Sequence, residues 1–202
     1  MEKQIIISIG RQYGSAGHIV AKKLAEKLDI EVLDRNLLDE VAGVVKVDTN
    51  NLKKYDEKPR LRFLSRTVRG YSNSPEENIA EMQFALLKSK EADGDSFVIV
   101  GRCADELFHG KENFINAFLS ADMESRIKRV MERHEGLDRN GAIKKIAMHD
   151  KKRAAYHDFF AKNGKWGERG TYDMCLDVSK IGVDASVEIL YQYVQSRIKE
   201  MK

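Results

Sequence analysis

Cysteine is almost absent from this chain: Cys103 and Cys175 are the only two in 202 residues, far apart and outside any CxxC or Cys/His cluster. This excludes a disulfide framework and a structural zinc site, and leaves two free, buried thiols as the simplest expectation. Two prolines and 14 scattered glycines exclude collagen-like and extended low-complexity architecture. No apolar run approaches the roughly 18 residues that a membrane-spanning helix needs, and residues 5–9 are too few for the apolar centre of a signal peptide. The expectation is a cytoplasmic protein with no membrane partner. Nor is there an internal repeat, or a Ser/His/Asp or Cys/His order of the kind that builds a nucleophilic triad.

What the chain does have is material for a core: 42% hydrophobic and 33% charged residues fit one compact domain over 1–202, which the order of strands and helices below makes α/β. The net charge of +3 is mild but unevenly placed. Between Lys46 and Gly70 eight basic residues oppose three acidic ones, a local excess of +5 that leaves −2 for the rest. Such a run is either a surface that meets an anion or a solvated helical face.

The run Gln4 to Ile9 is β-branched, as in a strand buried on both faces. A glycine turn follows, and then His18 to Leu28 sets Ile19, Val20, Leu24 and Leu28 at helical spacing. Residues 31–34 read as a second strand ending in a carboxylate, and 35–45 as a second helix; this β-α-β-α opening implies a parallel sheet. Residues 48–74 lack strand alternation and read as short helices and loops. Ser74-Pro75-Glu76-Glu77 starts a helix, with a serine cap, proline in the first turn and acids at the positive end, and predicts helix to about Ala92. Strands follow at 97–100, 113–119 and 174–177, and helices at 121–134, 139–160 and 183–199.

Gly10-Arg-Gln-Tyr-Gly14-Ser-Ala-Gly17-His18 lies between a buried strand and an amphipathic helix. Small residues there let backbone N–H groups of Gly10, Tyr13, Gly14, Ser15, Ala16, Gly17 and His18 surround one concavity at the positive end of a helix, which suits phosphate. The loop departs from the GxxxxGK[ST] phosphate-binding motif, with no lysine after its second glycine; set on the shorter GxGKGT form of such loops, Gly17 stands where lysine would and Ile19 where threonine would. Arg11 is the favoured replacement cation, ahead of His18, because a guanidinium stays charged and pairs bidentately with phosphate.

That loop is joined by Val32-Leu-Asp-Arg35, Val100-Gly-Arg-Cys-Ala-Asp105, Ser125-Arg-Ile-Lys-Arg-Val-Met-Glu-Arg133, Asp150-Lys-Lys-Arg153 and Asn163-Gly-Lys-Trp-Gly167. Together these strings resemble the cytidylate kinase-like family over nearly the whole chain, and in that family the altered glycine loop is the usual form. The resemblance implies a P-loop NTPase-type parallel sheet flanked by helices, a helical segment at 46–74 that binds a nucleoside monophosphate, and an arginine- and lysine-rich lid at 136–168. ATP and Mg2+ are the cofactors it implies, with no protein-bound structural metal, and nucleotides the small-molecule partners.

Residue by residue, the resemblance sets Asp34 near the reacting phosphates and any magnesium, beside Arg35; as a sequence feature Asp34 is equally a helix N-cap. It sets Arg102 on the acceptor monophosphate, although a strand-end arginine also makes structural ion pairs. Arg126, Arg129 and Arg133 share one side of a helix, and the match is closest at Arg126 and Arg129, which the family uses on the transferred phosphoryl group. Asp150 resembles the aspartate that holds acceptor base or ribose, and Arg153 the arginine that meets phosphates; an intrahelical ion pair has the same spacing. Two positions depart from the pattern: Glu40 and Ile146 stand where cytidylate kinases have arginines. Trp166 either covers a base or caps the core edge. Two functions follow, phosphoryl transfer to a small phosphorylated acceptor such as a pyrimidine nucleoside monophosphate, or nucleotide binding without turnover. An RNA-binding role ranks below both, since no aromatic-basic recognition motif accompanies the basic run.

Overall fold

The structure is a computed structural model that describes residues 3–34, 37, 67–68, 71–72 and 74–201. The helix expected over 35–45, apart from Leu37, and most of the basic run lie outside the described residues. Five parallel strands form the sheet: β1 (Ile6–Arg11) is central, with β5 (Phe97–Val100) and β2 (Glu31–Leu33) on one side and β6 (Phe114–Ser120) and β7 (Met174–Asp177) on the other. A short antiparallel ribbon pairs β3 (Thr67–Val68) with β4 (Tyr71–Ser72), inside the stretch 48–74 that the sequence reads as short helices and loops; these four described residues are strand instead.

Burial on both faces follows from the Ile/Val runs. Ile7 and Ile9 point to one face, where α1 (Gly17–Leu28) packs against α6 (Val178–Glu200) through Val20, Leu24, Leu190 and Val194. Ile6 points to the other, into a cluster with Leu37, Leu87, Phe97 and Phe108, under α2 (Pro75–Ala92) and the single turn α3 (Ala104–Leu107). Side chains alternate along a strand, so a strand covered by helices on both faces must be apolar throughout. Helix α2 starts as its sequence predicts, with Ser74 Oγ accepting from the Glu77 N–H. Helices α4 (Met123–Arg133) and α5 (Arg139–Phe160) make a smaller core of Ile127, Val130, Ala142 and Ile146.

Two further details differ from expectation. A helical turn starting at Val178 precedes the expected last helix: Asp177 caps that turn by accepting from the Ser179 N–H at 3.0 Å, and Gly182, with φ 81 and ψ 172, separates it from the helix that starts at 183 as expected. Cys103 is buried as expected, but Cys175 is exposed. Met174 and Leu176 turn toward the core from the edge strand β7, and the period of two turns Cys175 the other way. No helix among the described residues is long and apolar enough to cross a membrane.

The register matters most for function. Ile9 lies opposite both Val100 and Ala117, and Leu33 opposite Ile99, so β1, β2, β5 and β6 deliver Arg11, Asp34, Arg102 and Asp122 to the same carboxyl edge, where parallel sheets bind ligands. Leu24 is fully buried in the α1–α6 cluster. Leu24→Ala should cost about 2–5 kcal/mol of stability, read as a lower urea midpoint with an unchanged slope.

Candidate active site

The glycine loop leaves β1 at Arg11 and enters α1 at Gly17. Gly14 (φ +81) and Ala16 (φ +69) both take left-handed conformations. A Cβ on Gly14 would lie 3.0 Å from the Arg126 carbonyl oxygen, so the loop presses directly on α4. Among the described residues the N–H groups of Gly14, Ala16, Gly17 and His18 meet no acceptor and the buried Ser15 hydroxyl has no hydrogen-bond partner, but two of the expected donors are taken: the Tyr13 N–H by Asp150 and the Ser15 N–H by the Gln12 carbonyl at 3.3 Å. Buried polar groups are nearly always satisfied, and a cluster of open donors at a helix N-terminus is a site for an anion.

The side chain of Arg11 lies across Gly17. A Cβ built on Gly17 would fall 2.6 Å from Arg11 Cβ and 3.1 Å from its Cγ, so no side chain fits there while Arg11 keeps this path. The position that holds lysine in the usual loop is thus filled by an arginine stem arriving from β1. Its Nη2 stands 4.0 Å from Asp34 Oδ1, and His18 Nδ1 stands 2.8 Å from Asp34 Oδ2. Arg102 Nη2 donates to the Asp34 carbonyl at 3.3 Å. Burial works to raise the Asp34 carboxyl, but the His18 hydrogen bond and the charges of Arg11, His18 and Arg102 overcome it and hold it below the usual carboxylate range.

Helices α4 and α5 bring the remaining arginines to the loop. Arg126 Nε donates to the Tyr13 carbonyl at 2.8 Å and its Nη2 pairs with Asp150, whose Oδ1 accepts from the Tyr13 N–H at 2.7 Å. Arg129 Nη1 donates to the Gly14 carbonyl at 3.3 Å, and Arg153 Nη1 to the Arg11 carbonyl at 3.1 Å. Tyr13 stacks on His149 with ring centroids 4.1 Å apart, lies 5.6 Å from the Arg153 guanidinium, and has its hydroxyl 3.1 Å from His134 Nε2. Arg133 is exposed. Ile146 is buried between the two helices, so the apolar residue there holds α5 onto α4.

Beside the loop is a cleft lined by Ser8, Arg11, Arg102, Arg153, Tyr156 and Trp166, with about 30 Å³ of free space, room for a water or two. Its floor is a strained turn: Gly101 (φ +79), Arg102 (φ +66) and Cys103 (φ +53) are all left-handed. Such a conformation costs about 1–3 kcal/mol at each non-glycine residue and persists where surrounding structure enforces it, commonly at functional sites. Here it buries Arg102 to 2% exposure while aiming it along the carboxyl edge of β5. At the rim, Trp166 packs edge-on against Phe118 at 5.3 Å.

The cytidylate kinase-like family model matches residues 6–180. The chain belongs to that family. A crystal structure of an uncharacterized protein from Eubacterium ventriosum is 38% identical, with a TM-score of 0.75, covering 96% of this chain and 99% of that one. Shikimate kinases from Bacteroides thetaiotaomicron (13% identity, TM-score 0.57, 95% of this chain and 98% of that one) and from Acinetobacter baumannii in complex with shikimate (13%, 0.55, 100% and 97%) share the P-loop kinase fold. No curated protein shows significant similarity to the chain. A kinase-like family on a kinase fold supports phosphoryl transfer as the general chemistry.

The residues of this family member fit ATP. The open N–H groups and the partnerless Ser15 hydroxyl would supply donors for phosphate oxygens, Arg11 would supply the cation, and Asp34 would be the carboxylate for magnesium-bound water. Of the residues singled out in the sequence, Gly10, Arg11, Tyr13, Gly14, Ser15, Ala16, Gly17, His18, Asp34, Arg102, Arg126, Arg129, Asp150 and Arg153 gather at this edge. Arg35 and Glu40 lie outside the described residues. Asp150 turns to the glycine loop and Arg126. Sequence reasoning gives His157 no role beyond a lid contact and Asp105 none at all, yet their side chains meet in the cleft wall at 2.5 Å. They are 52 residues apart, and the only trace of them was that Asp105 follows the Gly101-Arg102 pair.

Adding a methyl group to Gly17 forces Arg11 off its path. Gly17→Ala should abolish most of the thermal stabilisation that Mg·ATP confers, whereas Gly170→Ala, with nothing within 4 Å of its Cβ, should keep it. A differential scanning measurement on both variants checks this.

Proposed function

We propose that this protein transfers the γ-phosphoryl group of Mg·ATP to a small phosphorylated acceptor, with a pyrimidine nucleoside monophosphate as that acceptor. One observation carries the reading: a loop of open N–H donors and an arginine-lined cleft adjoin at Arg11, whose guanidinium stands 4.0 Å from the Asp34 carboxylate on the same sheet edge. ATP supplies the transferable phosphoryl group when bound. Everything else falls to the chain. The loop amides and Ser15 hold phosphate oxygens in line, while Arg11 meets charge at the junction of loop and cleft. Arg102 and Arg153 make the cleft cationic, which favours an acceptor that already bears a phosphate. Phosphoryl transfer needs positioning and charge stabilisation and no covalent nucleophile, and this set of residues offers both.

The family resemblance supports the pyrimidine monophosphate. The free space of about 30 Å³ is far below what any nucleotide needs, so acceptor entry requires the end of α5 and Trp166 to move outward, in keeping with a lid at 136–168. A second reading, nucleotide binding without turnover, is favoured by one feature: Arg126, Arg129 and Arg153 are already bonded to loop carbonyls.

The two readings separate in one assay. Mg·ATP with CMP, dCMP, UMP, AMP or GMP should release ADP with at least one acceptor, and Arg102→Ala and Arg153→Ala should each lower that rate by about 10²-fold or more. Protein that nucleotide stabilises against heat, yet that consumes no ATP with any acceptor, would contradict transfer and leave binding.

A further inference from the structure

His157 occupies the last turn of α5, with its Nε2 2.5 Å from Asp105 Oδ2 and its Nδ1 3.0 Å from Asp158 Oδ1. A carboxylate accepts hydrogen bonds, so the ring can bond both at once by donating from both nitrogens only as an imidazolium. Burial opposes that charge, but the hydrogen bonds and charges of Asp105 and Asp158 overcome it and hold the ring above the ordinary histidine value.

The groups around the ring leave little other use for it. Cys103 Sγ donates to the His157 carbonyl at 3.8 Å, and burial together with Asp105 and Glu106 pushes its thiol far up, so it stays neutral. Arg11, Arg102, Arg153, Tyr156 and Tyr172 line the same cleft, and Glu106 turns outward to Lys162 and Asn163. Candidate ligand atoms of Cys103, Asp105 and His157 lie within 4.8 Å of one another. Yet a metal site or a nucleophilic cysteine needs a free imidazole nitrogen and a thiolate, and here both nitrogens are committed and the thiol is protonated.

What the ring does is connect. Asp105 sits in α3, directly after the strained Gly101–Cys103 turn that presents Arg102. Asp158 Oδ1 also accepts from the Trp166 N–H at 2.9 Å, at the cleft rim. We propose that His157 is a positioning residue for the acceptor: its two ring N–H groups fasten the end of α5 to the Arg102 turn and, through Asp158, hold Trp166 over the cleft. This rests on the kinase reading for the identity of the cleft, and on geometry alone for the fastening.

A proton loss breaks one of the two bonds. The fastening is complete below the ordinary histidine pKa of about 6.5 and is lost as pH rises through the higher folded-state value. Trp166 is the only tryptophan, so its emission reports the rim independently of turnover. Wild-type emission, followed from about pH 6 to 10, should titrate with one midpoint above about 6.5, and acceptor KM should rise several-fold across the same range with kcat little changed. In His157→Gln the midpoint should vanish and KM should be high throughout. Asp158→Asn keeps an acceptor for both N–H groups but removes a charge, so its midpoint should fall. Emission and KM that titrate in His157→Gln as in wild type, or an unmoved midpoint in Asp158→Asn, overturn the proposal. Emission that titrates in protein that turns over no acceptor would keep the fastening and remove its acceptor role along with the kinase reading.

Discussion

An arginine stem laid across a glycine organises this site. Arg11 comes off β1 over Gly17, and the contact is close enough that a single methyl group on Gly17 would collide with it. Two consequences follow from that approach. The guanidinium reaches the junction between the glycine loop and the cleft, and the first residue of α1 stays bare, leaving its N–H open to a ligand. The usual loop obtains its cation from the first turn of the helix; on the proposed reading it comes here from the end of the strand. Asp34 stands opposite, kept ionised by His18, Arg11 and Arg102 in spite of its burial.

The arginines of α4 and α5 have a role that the bare idea of phosphate binding misses. A loop that points N–H groups into a concavity must point carbonyls elsewhere, and those of Arg11, Tyr13 and Gly14 are each taken by a guanidinium from Arg153, Arg126 and Arg129. These bonds hold the loop in its anion-binding shape and surround it with positive charge. They also couple α5 to the loop, because Asp150 accepts from the Tyr13 N–H and pairs with Arg126. Outward motion of α5 would therefore disturb the loop as well as the cleft, so that access to one and order in the other are linked.

Much of this was legible in sequence because it is local. The Ile/Val runs give strands buried on both faces, Ser74-Pro75 gives a helix start, and the glycine spacing gives a loop between strand and helix. Register then follows, since a parallel sheet brings the ends of its strands to one edge. What sequence did not reveal depends on contacts between distant residues. Nothing local indicates that Arg11 crosses Gly17, that Asp150 faces Tyr13, or that His157 meets Asp105. The Asp177 cap was overlooked because Gly182 interrupts the helical pattern that follows it. Cys175 looked buried by residue type and is exposed because β7 lies at the sheet edge.

The central claim is that Arg11 supplies the charge that the loop's missing lysine would have carried. Calorimetric titration of Mg2+ with a non-hydrolysable ATP analogue into wild type, Arg11→Lys and Arg11→Ala tests it most directly. The account predicts measurable binding by wild type, weakened by about tenfold or more in Arg11→Ala, a loss of roughly 1.4 kcal/mol or greater, and partly restored in Arg11→Lys. Equal affinity in all three proteins would contradict it.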